Sequence, residues 1–197
     1  IGGGAAWTAA DRIIEKGRKI AAHVLEASVE DVEFKAGQFS VRGTDKTIGI
    51  KEVAKSSFVL TKLPPGLEGG LFETATYAPK SETWPNGSHA CEVEIDPGTG
   101  EVQVVGYWVV DDVGTMINPV GVKGQIHGGV AQGLGQALME RVVYDPDSGQ
   151  LLTGSFMDYA MPRAGDMPHI EIENNSVPTT SNPMGAKGAG EAGTVGA

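Results

Sequence analysis

The chain ends in a glycine-rich stretch, Pro183-Met-Gly-Ala-Lys-Gly-Ala-Gly-Glu-Ala-Gly-Thr-Val-Gly-Ala197, around which the rest of the sequence can be interpreted. Five of its fifteen residues are glycine, and Glu191 is its only acid. Glycine permits positive φ and lets a ligand approach the main chain closely. The stretch therefore predicts main-chain N–H groups wrapped around a bound group, with one carboxylate directed into the same space.

The same stretch contains Gly188-Ala-Gly-Glu-Ala-Gly193, which satisfies the G-x-G-x-x-G pattern of dinucleotide-binding folds. In those folds the pattern follows a strand, opens a helix and precedes an acid by about 20 residues. Here residues 174–183 are rich in Asn, Pro, Ser and Thr, and no acid follows at that distance. The pattern alone is therefore a weak argument for a dinucleotide site.

The composition is that of an ordinary globular domain, apart from its glycines. The chain has 197 residues, of which 40% are apolar, 20% are charged and 29 are glycine. A net charge of −10 without any Lys/Arg cluster argues against a nucleic-acid-binding surface. Cys91 is the only cysteine, so we expect no disulfide framework, no thiolate metal site and a reducing, cytoplasmic compartment. Because the sequence lacks an initiator Met and stops within a motif, we expect it to be part of a longer chain.

The first part of the chain has the pattern of a long helix followed by a small α/β arrangement. Apolar residues recur every three or four positions between Ala5 and Glu26, which predicts one amphipathic helix. The glycines at 2–4 could cradle an anion at its N-terminus or form a flexible lead-in. Residues 63–70, Leu-Pro-Pro-Gly-Leu-Glu-Gly-Gly, interrupt regular structure. We therefore predict a helix plus small α/β subregion over 1–62 and a strand-rich subregion over 63–197.

Alternation of apolar and polar residues predicts most of the remaining elements. Ser88–Asp96 and Glu101–Asp111 form the clearest hairpin, with Cys91 interpreted as a small core residue. Residues 156–163 are aromatic and Met-rich, so we expect them to be ordered and partly buried. The other predicted elements are a hairpin at 32–34 and 38–41, a helix at 50–58, a strand at 71–77, a hairpin at 141–145 and 150–153, and a strand at 169–173.

Asn118-Pro119 predicts the start of a second long helix, which we expect to reach Glu140. Six glycines lie inside it, at a cost of about 1 kcal/mol each relative to alanine. A chain tolerates that cost where one helical face must approach a sheet or a bound cofactor closely. We therefore expect Gly128, Gly129 or Gly133 to be nearly buried. A transmembrane helix is disfavoured by the polar residues on the same segment, which include Lys123, Gln125 and His127.

Three segments together resemble a known family. They are Val109-Val-Asp-Asp-Val-Gly-Thr-Met-Ile-Asn-Pro119, Gly124-Gln-Ile-His-Gly-Gly-Val-Ala-Gln-Gly-Leu-Gly-Gln136 and Gly185-Ala-Lys-Gly-Ala-Gly-Glu-Ala-Gly-Thr-Val-Gly196. Their order and spacing resemble the C-terminal part of the molybdopterin-binding large subunit of molybdenum hydroxylases. That family includes aerobic carbon monoxide dehydrogenases, aldehyde oxidoreductases and xanthine dehydrogenases. Ala90–Pro97 and Leu152–Tyr159 are similar to the carbon-monoxide-dehydrogenase-like branch.

The resemblance implies an α+β fold, the second half of a molybdopterin-binding domain, with mixed, largely antiparallel strands and two long helices packed on them. It implies molybdenum on a pterin, in bacteria as the cytosine dinucleotide, with Glu191 as general base beside the metal. The chain would supply no metal ligand. The cofactor-binding residues implied are Gln125, Lys187, Gly188, Ala189, Gly190 and Gly193.

The resemblance also implies partners, namely the remainder of the large subunit, iron–sulfur and FAD-carrying subunits, and other copies in a homo-oligomer. The loop that carries a copper-ligating cysteine in carbon monoxide dehydrogenases is absent, and Cys91 does not match it. Lys187 could neutralise a phosphate or be a solvated lysine, and His127 has the pattern of a structural hydrogen bonder more than of a ligand. Two functions stay open: the cofactor-binding part of an oxidoreductase acting on a small carbon substrate with water as oxygen source, or a non-catalytic assembly or binding module.

Overall fold

The computed structural model describes residues 1–197 and contains two compact units, Ile1–Pro79 and Lys80–Ala197. In the first unit, helix α1 spans Gly2–Leu25 and helix α2 spans Ile50–Ser56. Strands β1 (Val32–Lys35), β2 (Gln38–Val41) and β3 (Thr47–Gly49) form an antiparallel sheet in that order. The predicted hairpin and both predicted helices of this unit are therefore confirmed.

The apolar stripe of α1 faces the core of the first unit. Ile20, Phe39 and Val53 are fully buried and bring α1, β2 and α2 together. Gly17 allows the Phe39 ring to approach, because a Cβ there would lie 2.6 Å from the ring carbon Cζ. The helix begins earlier than predicted, and the glycines at 2–4 form its first turn instead of a separate loop.

Residues 63–79 belong to the first compact unit, whereas the sequence pattern placed the change of subregion between 62 and 63. Leu63, Leu67 and Leu71 pack against the core of that unit, and Arg12 Nη1 donates to the Thr74 carbonyl at 2.6 Å. The strand predicted at 71–77 is wrong, because this segment packs through side chains and has no partner strand.

In the second unit, strands β4 (Asn86–Ile95) and β5 (Val102–Asp112) form the predicted antiparallel hairpin. Strand β6 (Ile170–Asn174) pairs parallel to β5, which gives the order β4-β5-β6. Helix α3 (Pro119–Leu138) packs on this sheet, and a short helix α4 spans Ala192–Gly196. The buried cluster comprises Tyr107, Val109, Ile126, Val130, Leu134 and Ile170. The predicted α+β fold with a mixed sheet is confirmed.

One expectation for this unit is wrong, and two are confirmed only in part. Cys91 is exposed because it lies on the edge strand β4, none of whose residues joins the buried cluster under α3. The hairpin predicted after α3 is short: Tyr144 and Leu151 form one antiparallel bridge, and the N–H groups of Asp145 and Leu152 donate to the carbonyls of Gln150 and Val143. Phe156 and Met157 are 80% and 93% exposed, whereas Tyr159 and Pro162 are half-buried, so the expected burial of residues 156–163 holds only in part. No helix is both long and apolar enough to cross a membrane.

Candidate functional site

The buried glycines of α3 contact α4. A Cβ at Gly129 would lie 2.9 Å from the Gly193 Cα and the Thr194 nitrogen, and one at Gly133 would lie 3.0 Å from the Thr194 carbonyl oxygen. Gly193 in turn lies against α3, with its Cβ position 2.6 Å from the Ile126 carbonyl oxygen. The prediction of a tightly packed glycine face is confirmed for Gly129 and Gly133, whereas Gly128 is exposed.

The partner of this glycine face is a helix that the sequence did not predict. The sequence predicts a sheet or a bound cofactor as the partner and a loop after Gly185. Its last residues instead form α4, whose backbone lies against the backbone of α3. This contact fixes the position of Glu191, which is the N-cap residue of α4.

Glu191 is exposed, and its carboxylate makes no hydrogen bond or ion pair within the chain. Its main-chain carbonyl accepts from the Thr194 N–H at 3.1 Å, the first turn of α4. The side chain is therefore held at its base by the helix and is free at its tip. Such an acid is available to accept a proton from a bound molecule.

Immediately before Glu191, the main chain presents unused donors. The N–H groups of Gly188, Ala189 and Gly190 make no hydrogen bond, although the Lys187 N–H donates to the Val113 carbonyl. A Cβ at Gly188 or Gly190 would meet nothing within 4 Å, so the space beside both is open. Consecutive free N–H groups form a concave surface that favours anionic groups.

These residues border a cleft of about 710 Å³. That volume lies in the range of small-molecule and cofactor sites. The cleft brings the predicted Gly188, Gly190 and Glu191 together with residues of β4, β5, α4 and the segment before β4. Those additional lining residues are Thr83, Trp84, Pro85, Asn86, Gly87, His89, Asp111, Ala192, Val195 and Gly196.

Three polar side chains are buried beside the cleft. His89 Nδ1 lies 2.9 Å from the Tyr107 hydroxyl, and His89 Nε2 lies 3.5 Å from Asp111 Oδ1. Burial raises the pKa of the Tyr107 phenol, as does the nearby charge of Asp111, so this hydroxyl keeps its proton. Asp111 Oδ2 is buried and has no hydrogen-bond partner.

Lys187 lies outside the cleft lining and is bound to a carboxylate of its own chain. Its Nζ lies 2.5 Å from Asp112 Oδ2, and both side chains are almost buried. Asp112 Oδ1 also accepts from the N–H groups of Gly114 and Val177. The hydrogen bond from Lys187 is the main cause that lowers the pKa of Asp112 to about 2. The lysine therefore connects the end of β5 to the glycine loop, by which we mean residues 185–191.

Gln125 and His127 lie on the exposed part of α3 and not in the cleft lining. His127 Nδ1 lies 2.8 Å from the Lys123 carbonyl oxygen, as expected for a structural hydrogen bonder. Ala189 lies between the two glycines that line the cleft, and Gly193 faces α3.

Sequence reasoning missed His89 and Asp111 as members of the cleft. A usable signal exists for Asp111, because Tyr107 and Val109 are buried and Asp111 continues their side of β5. An acid in register with a buried apolar face is unusual, and it indicates a polar site. His89 gives no such signal, since its partners come from β5 through strand pairing.

Comparison with known proteins identifies the family of this chain. A family model described as a molybdopterin cofactor-binding domain matches residues 1–168. The chain is 38% identical to the gamma subunit of the 6-hydroxypseudooxynicotine dehydrogenase complex of Paenarthrobacter nicotinovorans, over 100% of this chain and 25% of that protein. It is 39% identical to the carbon monoxide dehydrogenase large chain of Hydrogenophaga pseudoflava, over 100% of this chain and 24% of that protein.

Solved structures show the same fold. A crystal structure of a copper- and molybdenum-containing carbon monoxide dehydrogenase matches with a TM-score of 0.91 and 37% identity, over 100% of this chain and 24% of that one. Quinoline 2-oxidoreductase from Pseudomonas putida 86 matches with a TM-score of 0.85 and 41% identity. The match covers 94% of this chain and 24% of that one. The chain thus spans about a quarter of the length of the relatives it matches. It belongs to the molybdopterin cofactor-binding family that forms part of the large subunits of molybdenum hydroxylases and dehydrogenases.

Proposed function

We propose that this chain is part of the catalytic subunit of a molybdenum-dependent oxidoreductase that oxidises or hydroxylates a small carbon substrate with water as the oxygen source. The observation that carries the proposal is the cleft, where an unpaired acid, Glu191, stands beside the free N–H groups of residues 188–190. The names of the relatives extend from carbon monoxide to nicotine and quinoline, which supports the reaction class over any one substrate.

The residues present fit a pterin cofactor. Three unused main-chain donors and open space at Gly188 and Gly190 suit an anionic or carbonyl-rich group that approaches the backbone closely. Gln125 would add an amide from α3 in the complete subunit. When bound, the cofactor supplies the two-electron oxidant of the reaction. We further propose the cytosine dinucleotide form, iron–sulfur and FAD groups on partner subunits, a homo-oligomeric assembly and a cytoplasmic location.

Glu191 would act as general base and take a proton from the water that provides the oxygen. Its carboxylate has no competing partner in the chain, and the contact between α3 and α4 holds its backbone in place. A positioned base of this kind contributes a factor of about 10²–10⁴ to the rate.

The role proposed for Lys187 is to position the loop. Because its ammonium group is already paired with Asp112, it would bind phosphate only by giving up that pair. As a tether between β5 and the glycine loop, it keeps residues 188–190 where the cofactor would meet them. Gly193 contributes through its contact with α3, and Ala189 through its main-chain N–H.

The test compares Glu191→Gln with Lys187→Met in the complete, cofactor-loaded subunit. Glutamine keeps the shape of the side chain but cannot accept the proton. We expect Glu191→Gln to slow enzyme reduction by substrate about 10²–10⁴-fold at unchanged molybdenum content. Lys187→Met should instead lower molybdenum occupancy and leave the rate per bound molybdenum nearly unchanged.

Rapid-reaction absorbance of the reductive half-reaction, with elemental analysis of the same samples, gives both quantities. If Glu191→Gln retains most of its rate per bound molybdenum, the base lies elsewhere and the assignment is wrong. A non-catalytic module would show no substrate-dependent reduction in either variant or in the unaltered protein.

A further inference from the structure

Asp111 lines the cleft, and the proposed chemistry does not use it. Its side chain is only 2% exposed, and its Oδ2 atom has no hydrogen-bond partner. The only group near Oδ1 that can carry a positive charge is His89, whose Nε2 lies 3.5 Å away, beyond good hydrogen-bonding distance. A buried carboxylate with an unpaired oxygen is costly unless a partner arrives to bind it.

The surrounding residues keep this carboxylate in place. A Cβ at position 87 would overlap Asp111 Oδ1, so Gly87 leaves the space that the carboxylate occupies. His89 is fixed from its other ring nitrogen by the Tyr107 hydroxyl at 2.9 Å. The Asp111 carbonyl accepts from the Asn175 N–H at 3.0 Å, which anchors the backbone beside β6. The fold therefore fixes the position of the Asp111 carboxylate and its unpaired oxygen.

The free N–H groups of residues 188–190 suit an anionic group, whereas the charged side chains of the lining favour a cation elsewhere in the cleft. Two carboxylates, Asp111 and Glu191, line it, and no lysine or arginine does. The lysine closest in sequence, Lys187, is neutralised by Asp112. Apolar surface from Trp84, Pro85 and Val195 lines the same space. A ligand that suits this lining combines an apolar body with a positively charged N–H donor.

We propose that Asp111, beside Gly87 and His89, forms a subsite for the cationic nitrogen of an organic substrate, a protonated amine with at least one N–H. The N–H donates to the carboxylate of Asp111, which lines the cleft, and the apolar part of the ligand lies against the segment before β4. The proposal rests on the proposed function, because it assigns the substrate class of the same cleft. Asp111 is a specificity residue here, and Glu191 remains the base.

The test measures binding without turnover, by calorimetry on the complete cofactor-loaded subunit at pH 7. Benzylammonium and benzyl alcohol serve as probes, since they share an aromatic body and differ in charge. We expect benzylammonium to bind at least tenfold more tightly. Asp111→Asn should abolish that preference, because the amide side chain carries no charge to pair with the ammonium.

Glu173→Gln is the matched control, since it removes one carboxylate from the exposed face of the neighbouring strand β6, outside the cleft. It should leave the preference unchanged. Equal binding of the two probes to the unaltered protein would overturn the proposal, and so would a preference that survives Asp111→Asn. If Asp111→Asn does not fold, the preference measured on Glu191→Gln decides, because Asp111 is then the only carboxylate left in the lining: its persistence supports the subsite and its loss overturns it.

Glu191→Gln separates this proposal from the proposed function. A preference that disappears in Glu191→Gln but persists in Asp111→Asn means that the catalytic carboxylate binds the cation, which overturns the subsite. An unchanged rate per bound molybdenum in Glu191→Gln contradicts the general base, and that result is independent of the binding measurement.

Discussion

Asp112 connects three segments of the second unit through a single carboxylate. One oxygen binds the Lys187 ammonium, and the other accepts from the N–H groups of Gly114 and Val177. These contacts favour the charged form, so the pKa of Asp112 falls from 3.8 to about 2. Because a lowered pKa means that the folded state prefers the carboxylate, protonation removes stability.

We expect this contribution to be fully present above pH 4 and to be lost as the pH falls through about 2. Asp112→Asn should lower the free energy of unfolding at pH 7 by roughly 2 kcal/mol, and it should flatten the loss of stability between pH 4 and pH 2. Urea unfolding of both proteins across this range measures the difference. If the difference in unfolding free energy between the two proteins is the same at every pH, the lowered pKa does not belong to Asp112.

At the scale of elements, the contact between α3 and α4 explains why a helix carries so many glycines. Gly129 and Gly133 lie against the backbone of α4, where no neighbouring side chain can move aside. Gly124 and Gly128 face open space, with nothing within 4 Å of their Cβ positions. Only part of the propensity cost is therefore offset by packing in this chain.

This difference predicts opposite effects for two adjacent substitutions. Gly129→Ala should destabilise the protein by about 1–3 kcal/mol, because its methyl group would lie 2.9 Å from the backbone of α4. Gly128→Ala should stabilise it by about 0.5–1 kcal/mol through helix propensity alone. Thermal or denaturant unfolding of both variants gives the sign of each change in stability directly. Destabilisation of similar size by both would show that Gly128 also has a buried role.

Short sequence patterns predicted the elements that are determined by neighbouring residues in the chain. Asn118 caps α3 by accepting from the Gly121 N–H at 3.0 Å, and Pro119 follows it in the first helical position. Alternation predicted the hairpin of β4 and β5. The same alternation misplaced Cys91, because it does not show whether a helix covers that end of the sheet.

Long-range contacts set the features that the sequence did not reveal. The parallel pairing of β6 with β5 and the formation of α4 depend on residues more than fifty positions away. For the candidate site, motif spacing identified Gly188, Gly190 and Glu191, which the fold brings to one cleft. The part formed by His89 and Asp111 required the strand register, because their contact exists only through the pairing of β4 with β5.

At the scale of the whole molecule, each compact unit has its own buried cluster, and the proposed site lies entirely within residues 80–197. The family match extends over both units, and the first unit has a separate core built on α1. The relatives are about four times as long as this chain, so the cofactor would be enclosed by further parts of the subunit as well.

Molybdenum and pterin content of the complete subunit, purified from its native host, tests the central claim most directly. We predict close to one molybdenum and one pterin per subunit by elemental analysis and mass spectrometry. Replacing Gly188 and Gly190 together by valine should reduce both, because the side chains would fill the open space beside the main-chain donors. A folded subunit without molybdenum or pterin, under conditions that load a homologous dehydrogenase, would contradict the account.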